Sequence, residues 1–126
     1  MLSVKKLLYK ILSIPMVIEQ GTSGIWTYRK WSDGTAECWG QTSVASHAYA
    51  ANGGYFSVEE ALPNGLFATT PPIVVVSGKI VGNVLTDIGY TSADSTTRIQ
   101  TYLINRNTST VTQIGVVYWM VKGRWK

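Results

Sequence analysis

From Glu19 onward the apolar side chains tend to recur at every second position, and turn-forming residues interrupt them roughly every ten residues, which constrains the fold more than anything else in the chain. Period 2 puts alternate side chains on opposite faces, so each segment reads as a strand with one face turned inward. Gly24–Trp31 and Thr35–Val44 read as a hairpin closed by Ser32-Asp33-Gly34. Ala45–Gly54 reads as looser chain, and Tyr55–Val58 as a short strand. Leu62–Thr70 carries Pro63 and the turn signal Asn64-Gly65, and Pro71-Pro72 forbids helix. Ile73–Val76 is a continuous β-branched run, the pattern of a strand buried on both faces, with Ser77-Gly78 as a turn behind it. Lys79–Tyr90 has further strand character, broken near Gly82-Asn83. In Thr97–Asn105, Ile99, Thr101 and Leu103 fall on one side and Arg98, Gln100 and Tyr102 on the other. Val111–Val121 is the last long strand. This spacing predicts an all-β fold, an antiparallel β-sandwich or jelly roll.

Composition agrees and narrows the chemistry. The 126 residues suit one domain, and 14 % charged residues is low against a typical figure of about 25 %. A helical bundle with charged outer faces is excluded on that ground. The single cysteine, Cys38, permits neither an internal disulfide framework nor a cysteine-based zinc site, and the single histidine, His47, argues against His-dependent metal chemistry. No cofactor or metal site is expected. The net charge of +4 divides unevenly: Lys5, Lys6 and Lys10 lie in the first fourteen residues, and from Pro15 onward eight basic residues nearly balance seven acidic ones. Lys122, Arg124 and Lys126 weight the other end. A nucleic-acid partner calls for a basic face across the fold, so none is expected.

The opening segment differs in period. Val4, Leu7, Ile11 and Ile14 step by three and four, with Leu8 and Leu12 beside them and Lys6 and Lys10 opposite, which predicts a short amphipathic helix ended by Pro15. Lys10 interrupts the apolar run, so neither a signal peptide nor membrane insertion is expected. Such a helix packs on its own domain, lies on a membrane surface, or forms a short parallel coiled coil in which Ile and Leu at both core positions favour three or four strands. Four apolar residues per chain are too few to hold a trimer together, so a stem of this kind only extends one made elsewhere. The expected division is a helix or stem over 1–15 and a sandwich over 16–126.

Aromatic residues crowd the first hairpin. Three of the five tryptophans, Trp26, Trp31 and Trp39, lie there with Tyr28, and period 2 puts Trp26 and Tyr28 on one face and Trp31 on the other. A monomeric sandwich needs only one buried face. The second set of rings is covered either by a loop or by another chain. The run Gln20 to Gly40, with Gly24-x-Trp26-x-Tyr28-x-x-Trp31-x-x-Gly34-x-x-x-Cys38-Trp39-Gly40, resembles the opening hairpin of a family of small head domains at the C-termini of phage and prophage tail proteins. Leu62-Pro63 leading to Pro72-Ile73-Val74-Val75-Val76 is similar to that family's middle element, and Gly123-Arg124-Trp125-Lys126 to its ending. The resemblance implies a head, usually a homotrimer, at the tip of a fibre or baseplate component of the virion, assembled with other tail proteins and touching the host surface. Some related heads carry a His-x-His metal site on the trimer axis, but His47-Ala48-Tyr49 stands here, so that site is not carried over.

Catalytic constellations are thin. His47 has no nucleophile elbow to serve, and no phosphate loop follows Gly53-Gly54. Glu59 and Glu60 are adjacent, so in a strand they point apart and read as a solvated pair. Cys38 reads as a small buried hydrophobe. No catalytic residue is expected. Two classes stay open: a non-enzymatic receptor-binding head for bacterial surface polysaccharide, and a carbohydrate-binding module or polysaccharide-cleaving domain standing alone. Saccharides are held by stacked rings beside convergent polar groups. The candidates are Tyr49, Tyr55 and Tyr90, with His47 and Asp94 near them.

Overall fold

The computed structural model describes residues 4, 14–82, 84–89, 92–93 and 95–126. The helix expected over 1–15 lies outside the described residues apart from Val4, Ile14 and Pro15. The strands in chain order are β1 (Val17–Ser23), β2 (Trp26–Trp31), β3 (Thr35–Tyr49), β4 (Tyr55–Ala61), β5 (Ile73–Ile80), β6 (Thr86–Ile88), β7 (Ser92–Ala93), β8 (Arg98–Asn105) and β9 (Val111–Arg124). They form a five-stranded sheet, β1-β2-β3-β9-β5, and a smaller one, β4-β8-β6, with β7 also paired to β8. All pairings are antiparallel. The chain is an all-β sandwich.

Alternation accounts for the core. β3 turns Ala36, Cys38, Thr42 and Val44 inward, β9 turns Val117, Trp119 and Val121, and β8 turns Ile99, Thr101, Leu103 and Asn105. Burial of the Cys38 thiol pushes its pKa up to about 12. The buried indole nitrogens are paired. Trp26 Nε1 donates to the Ala61 carbonyl at 2.6 Å. Trp119 Nε1 donates to Thr42 Oγ1 at 2.7 Å, and that hydroxyl donates to Glu60 Oε1 at 2.9 Å. Of the adjacent pair, Glu59 is exposed and meets Arg98, while Glu60 is half-buried and ends this relay.

Three segments depart from the sequence pattern. β3 continues to Tyr49 through a shift of register between Val44 and His47, so half of the stretch expected to be loose is strand. The irregularity moves Tyr49 onto the inward face, where it is fully buried. The run Ile73–Val76 is an edge strand and not a doubly buried one: β5 pairs only with β9, and Ile73 and Val75 are exposed. Ser77-Gly78 lies inside β5 and is no turn. A side chain at Gly78 would place its Cβ 2.8 Å from the Val116 carbonyl and 3.1 Å from Leu103, so the glycine serves close approach of the two sheets.

The sheets differ in width, and that sets out the surface. β4 packs near β3, and β6 and β8 near β5; among the described residues β2 meets the smaller sheet at the Trp26–Ala61 bond, and the rest of the β1–β2 hairpin extends past it. The loop of residues 62–72 covers part of that overhang with Leu66 and Phe67, both buried.

Candidate functional site

The outer face of the smaller sheet is built from the alternate residues left over by the core. β4 contributes Tyr55, Ser57 and Glu59, and β8 contributes Tyr102, Gln100 and Ile104 in register with them. Tyr55 is 64 % exposed and meets Tyr102 edge to face, with ring centroids 5.5 Å apart at 86°. Tyr55, Gly89, Tyr102 and Ile104 line an open cleft of about 260 Å³. Gly89 donates its N–H to the Tyr102 carbonyl at 2.9 Å, and a Cβ there would come within 2.9 Å of Tyr102 Cβ, so only glycine leaves the cleft floor clear. Polar pairs lie beside it on the same sheet, and Glu59 and Arg98 line a separate cleft. The Gln100 amide donates to Ser57 Oγ at 2.8 Å and to Tyr102 Oη at 3.1 Å. Arg106 donates twice to Asp87 Oδ2, at 3.2 and 3.3 Å, and Arg98 reaches Glu59 at 3.4 Å.

A buried amide braces the loop that leads into β4. Asn105 Nδ2 lies 3.0–3.2 Å from the carbonyls of Tyr49, Ala50 and Ser109, and Asn105 Oδ1 accepts from Asn107 N–H at 2.9 Å. Asn52 and Gly53 hydrogen-bond to the same loop through their backbones. That network ties the turn before Tyr55 to the loop that follows β8.

The expected binding residues scatter. Tyr55 is at the surface. Tyr49 is not: burial pushes its hydroxyl pKa up, and the hydroxyl finds no hydrogen-bond partner among the described residues. His47 is half-buried between Tyr49 and Phe56, with ring centroids at 5.1 and 4.7 Å. Tyr49 cannot present its ring to a ligand. Tyr90 and Asp94 lie outside the described residues. Tyr102, Gln100 and Asn105 were missed. The available signal was register: Tyr102 and Gln100 share the outward series of β8, and Asn105 continues the inward one.

The larger sheet presents a different outer face. Trp39, Met120 and Val75 are cross-strand partners in one row over β3, β9 and β5, and Tyr118 and Ile73 flank them. Met120, Val75, Ile73 and Tyr118 are all exposed. Arg29 lies over the Trp39 ring, 5.1 Å from its centroid. In the next row Glu37 stands between Arg29 and Lys122, and accepts from Trp31 Nε1 at 3.4 Å. Trp26 is buried and Tyr28 half-buried on the opposite side of the hairpin. Among the described residues no three His, Cys, Asp or Glu side chains gather as a metal site.

Comparison with solved structures gives this arrangement a context. An N-truncated R1-type pyocin tail fibre superposes on it with a TM-score of 0.63 at 15 % identity, over 98 % of this chain and 98 % of that one. The chain has the fold of a tail-fibre domain. A longer fragment of the Pseudomonas aeruginosa R1 pyocin fibre matches with a TM-score of 0.56 at 17 % identity, over 98 % of this chain and 32 % of the fragment. No protein-family model and no curated protein matches the chain.

Proposed function

We propose that the chain is the head of a phage or prophage tail fibre, a structural component of the virion that attaches to bacterial surface polysaccharide without cleaving it. The observation that carries this reading is the likeness to a tail fibre over 98 % of both chains. The two outer faces divide the work. The Tyr55–Tyr102 cleft holds saccharide, its rings stacking on the apolar side of a sugar while Gln100, Asp87 and Arg106 stand within reach of hydroxyls. The outer face of the larger sheet packs against two further copies in a homotrimer built on residues 16–126, with 1–15 as a stem. Five strands about 4.8 Å apart and seven residues long at about 3.3 Å each offer on the order of 500 Å², the scale of the roughly 800 Å² each partner buries in a standard interface. Three identical clefts on one trimer convert weak single contacts into firm attachment through effective concentration.

Light scattering and adsorption to host cells test the two halves. The expected mass is about three times the 13.8 kDa chain. Adsorption should fall in Tyr55→Ala and Tyr102→Ala, and host polysaccharide should be recovered at its original length. A monomer at micromolar concentration removes the trimer. Shortened oligosaccharides in the supernatant establish the polysaccharide-cleaving alternative.

A further inference from the structure

The overhang of the larger sheet creates a second cleft, away from the Tyr55–Tyr102 pair. It measures about 240 Å³ and lies between the inner side of the β1–β2 hairpin and the loop that follows β4. Glu19 and Lys30 are cross-strand partners in β1 and β2, and their charged groups stand 3.6 Å apart on its wall. The Tyr28 hydroxyl lies beside the Glu19 carboxylate, whose negative charge holds the phenol above its ordinary pKa. Gly21 makes room for that ring, because a Cβ there would come within 2.9 Å of Tyr28 Oη. Ser23 and the Asn64 amide complete the polar rim, and Pro63 and Leu66, both buried, form an apolar wall. Leu66 N–H donates to the Pro63 carbonyl at 3.2 Å, and this turn holds Asn64 at its tip.

The chemistry of the walls selects a ligand class. Glu19 accepts, Lys30 donates, and the hydroxyls and the amide do both. Opposite charges balance within the cleft, so it offers no net field to an anion or a cation. Neighbouring hydroxyls on one ring give to a carboxylate and take from an ammonium at once, and the C–H face of such a ring fits against Pro63 and Leu66. The volume lies below the usual range for chain-sized or drug-sized ligands, about 300–1,000 Å³. We infer that this cleft binds one neutral sugar ring, between Glu19 and Lys30 on one side and Asn64 on the other. The inference rests on the attachment reading above only for the source of that ring, a terminal residue of the surface polysaccharide.

The test uses the full chain and saturation-transfer NMR with glucose, galactose, mannose and N-acetylglucosamine, with glucuronate and glucosamine as charged controls. At least one neutral sugar should bind, more tightly than either charged control. Glu19→Gln should weaken binding about tenfold or more, the equivalent of one hydrogen bond to a charged group. Asn64→Ala, in an exposed turn, should weaken it several-fold with the melting temperature unchanged. Tyr55→Ala removes the ring of the other cleft, and the loss caused by Glu19→Gln should be the same with or without it. The inference is overturned if no neutral sugar binds, if glucuronate or glucosamine binds best, or if both Glu19→Gln and Asn64→Ala bind as the wild type does. Binding lost in Tyr55→Ala but kept in Glu19→Gln moves the sugar to the other cleft: the inference fails and the attachment reading stands. Neutral sugar bound here by a chain that does not adsorb to cells has the opposite meaning, since the cleft is then real and the attachment reading fails.

Discussion

The two sheets solve the same problem, what to do with an outer face, in opposite ways. On the smaller sheet the outward residues are mutually satisfied: Arg98 with Glu59, Arg106 with Asp87, and Gln100 with Ser57 and Tyr102. Its one large exposed ring among the described residues, Tyr55, leans on a second ring and leaves a cleft. On the larger sheet the central row is Trp39, Met120 and Val75, with charge held in a neighbouring row where Glu37 separates Arg29 from Lys122. A face of the first kind is at ease in water and can receive a small polar ligand. A face of the second kind is stabilised by whatever removes its apolar centre from water. The difference teaches that a sheet's outward side chains, and not its strand order, decide whether it meets solvent, ligand or protein.

The largest effect expected from breaking this contrast is loss of assembly. Met120→Lys with Val75→Lys puts two charges in the centre of the apolar row, and the scattering mass should drop from about three chains to one. The same double change on the other face, Tyr55→Lys with Ile104→Lys, should leave the mass unaltered. Equal dissociation by both pairs would erase the distinction between the faces. In the proposed trimer, deleting residues 1–15 should also leave the mass per assembly at three chains, because four apolar residues per chain are too few to hold it together.

Next in size is attachment. Tyr102→Ala should lower cell adsorption by about tenfold or more, because avidity multiplies a modest loss at each of three sites, while the melting temperature stays within a few degrees. A Trp39→Ala trimer that adsorbs no better than Tyr102→Ala would assign attachment to the larger sheet.

Smaller and purely structural is the relay beneath the faces. Thr42→Val leaves the Trp119 N–H and the Glu60 carboxylate without their shared partner, which should cost about 1–3 kcal/mol in denaturant unfolding. No change would mean that water replaces the hydroxyl.

Last is a pH effect confined to Cys38. Its thiol is held at about 12 in the folded state, above the usual value near 8.5 in an unfolded chain. The folded form therefore binds this proton more tightly, and the associated stability is complete below about pH 8.5 and declines toward pH 12 at about 1.4 kcal/mol per unit. Cys38→Ala lacks that decline. The gap between wild type and variant should narrow as pH rises from 8.5 to 11, and a constant gap would show a thiol titrating normally.

How much of this was legible depends on what each signal reports. The β2–β3 pairing, the alternation of β8 and most of the length of β9 follow from local patterns of apolar residues and turn formers, and an all-β sandwich is readable from them, whereas β1 (Val17–Ser23) and its pairing with β2 are not. The first hairpin was readable in more detail, because tryptophans at odd and even positions can only fall on opposite faces. The loop reading of Ala45–Gly54 failed because small residues, Ala45, Ser46 and Ala48, hide the alternation that the pairing with β9 imposes. The same masking makes Tyr49 read as a loop residue, although it is fully buried. The run Ile73–Val76 failed for a related reason: β-branched residues report a preference for extended chain, and say nothing of how many neighbours the strand will have.

The candidate sites were less legible than the fold. Tyr55 was named from the sequence, but its partner Tyr102 lies 47 positions away and meets it only because β4 pairs with β8 in one register. Glu19, Lys30 and Asn64 come together for the same kind of reason, across a strand pair and a loop. The sequence by itself determined the period of the chain, the positions of its turns and the side of each strand on which its rings stand, since these follow from the geometry of neighbouring residues. The tertiary structure alone decided which strands became edges, which rings were buried and which polar groups converged on a cleft. Those outcomes depend on pairings between residues far apart in the chain, whose free energy is won only when the two sheets close on each other.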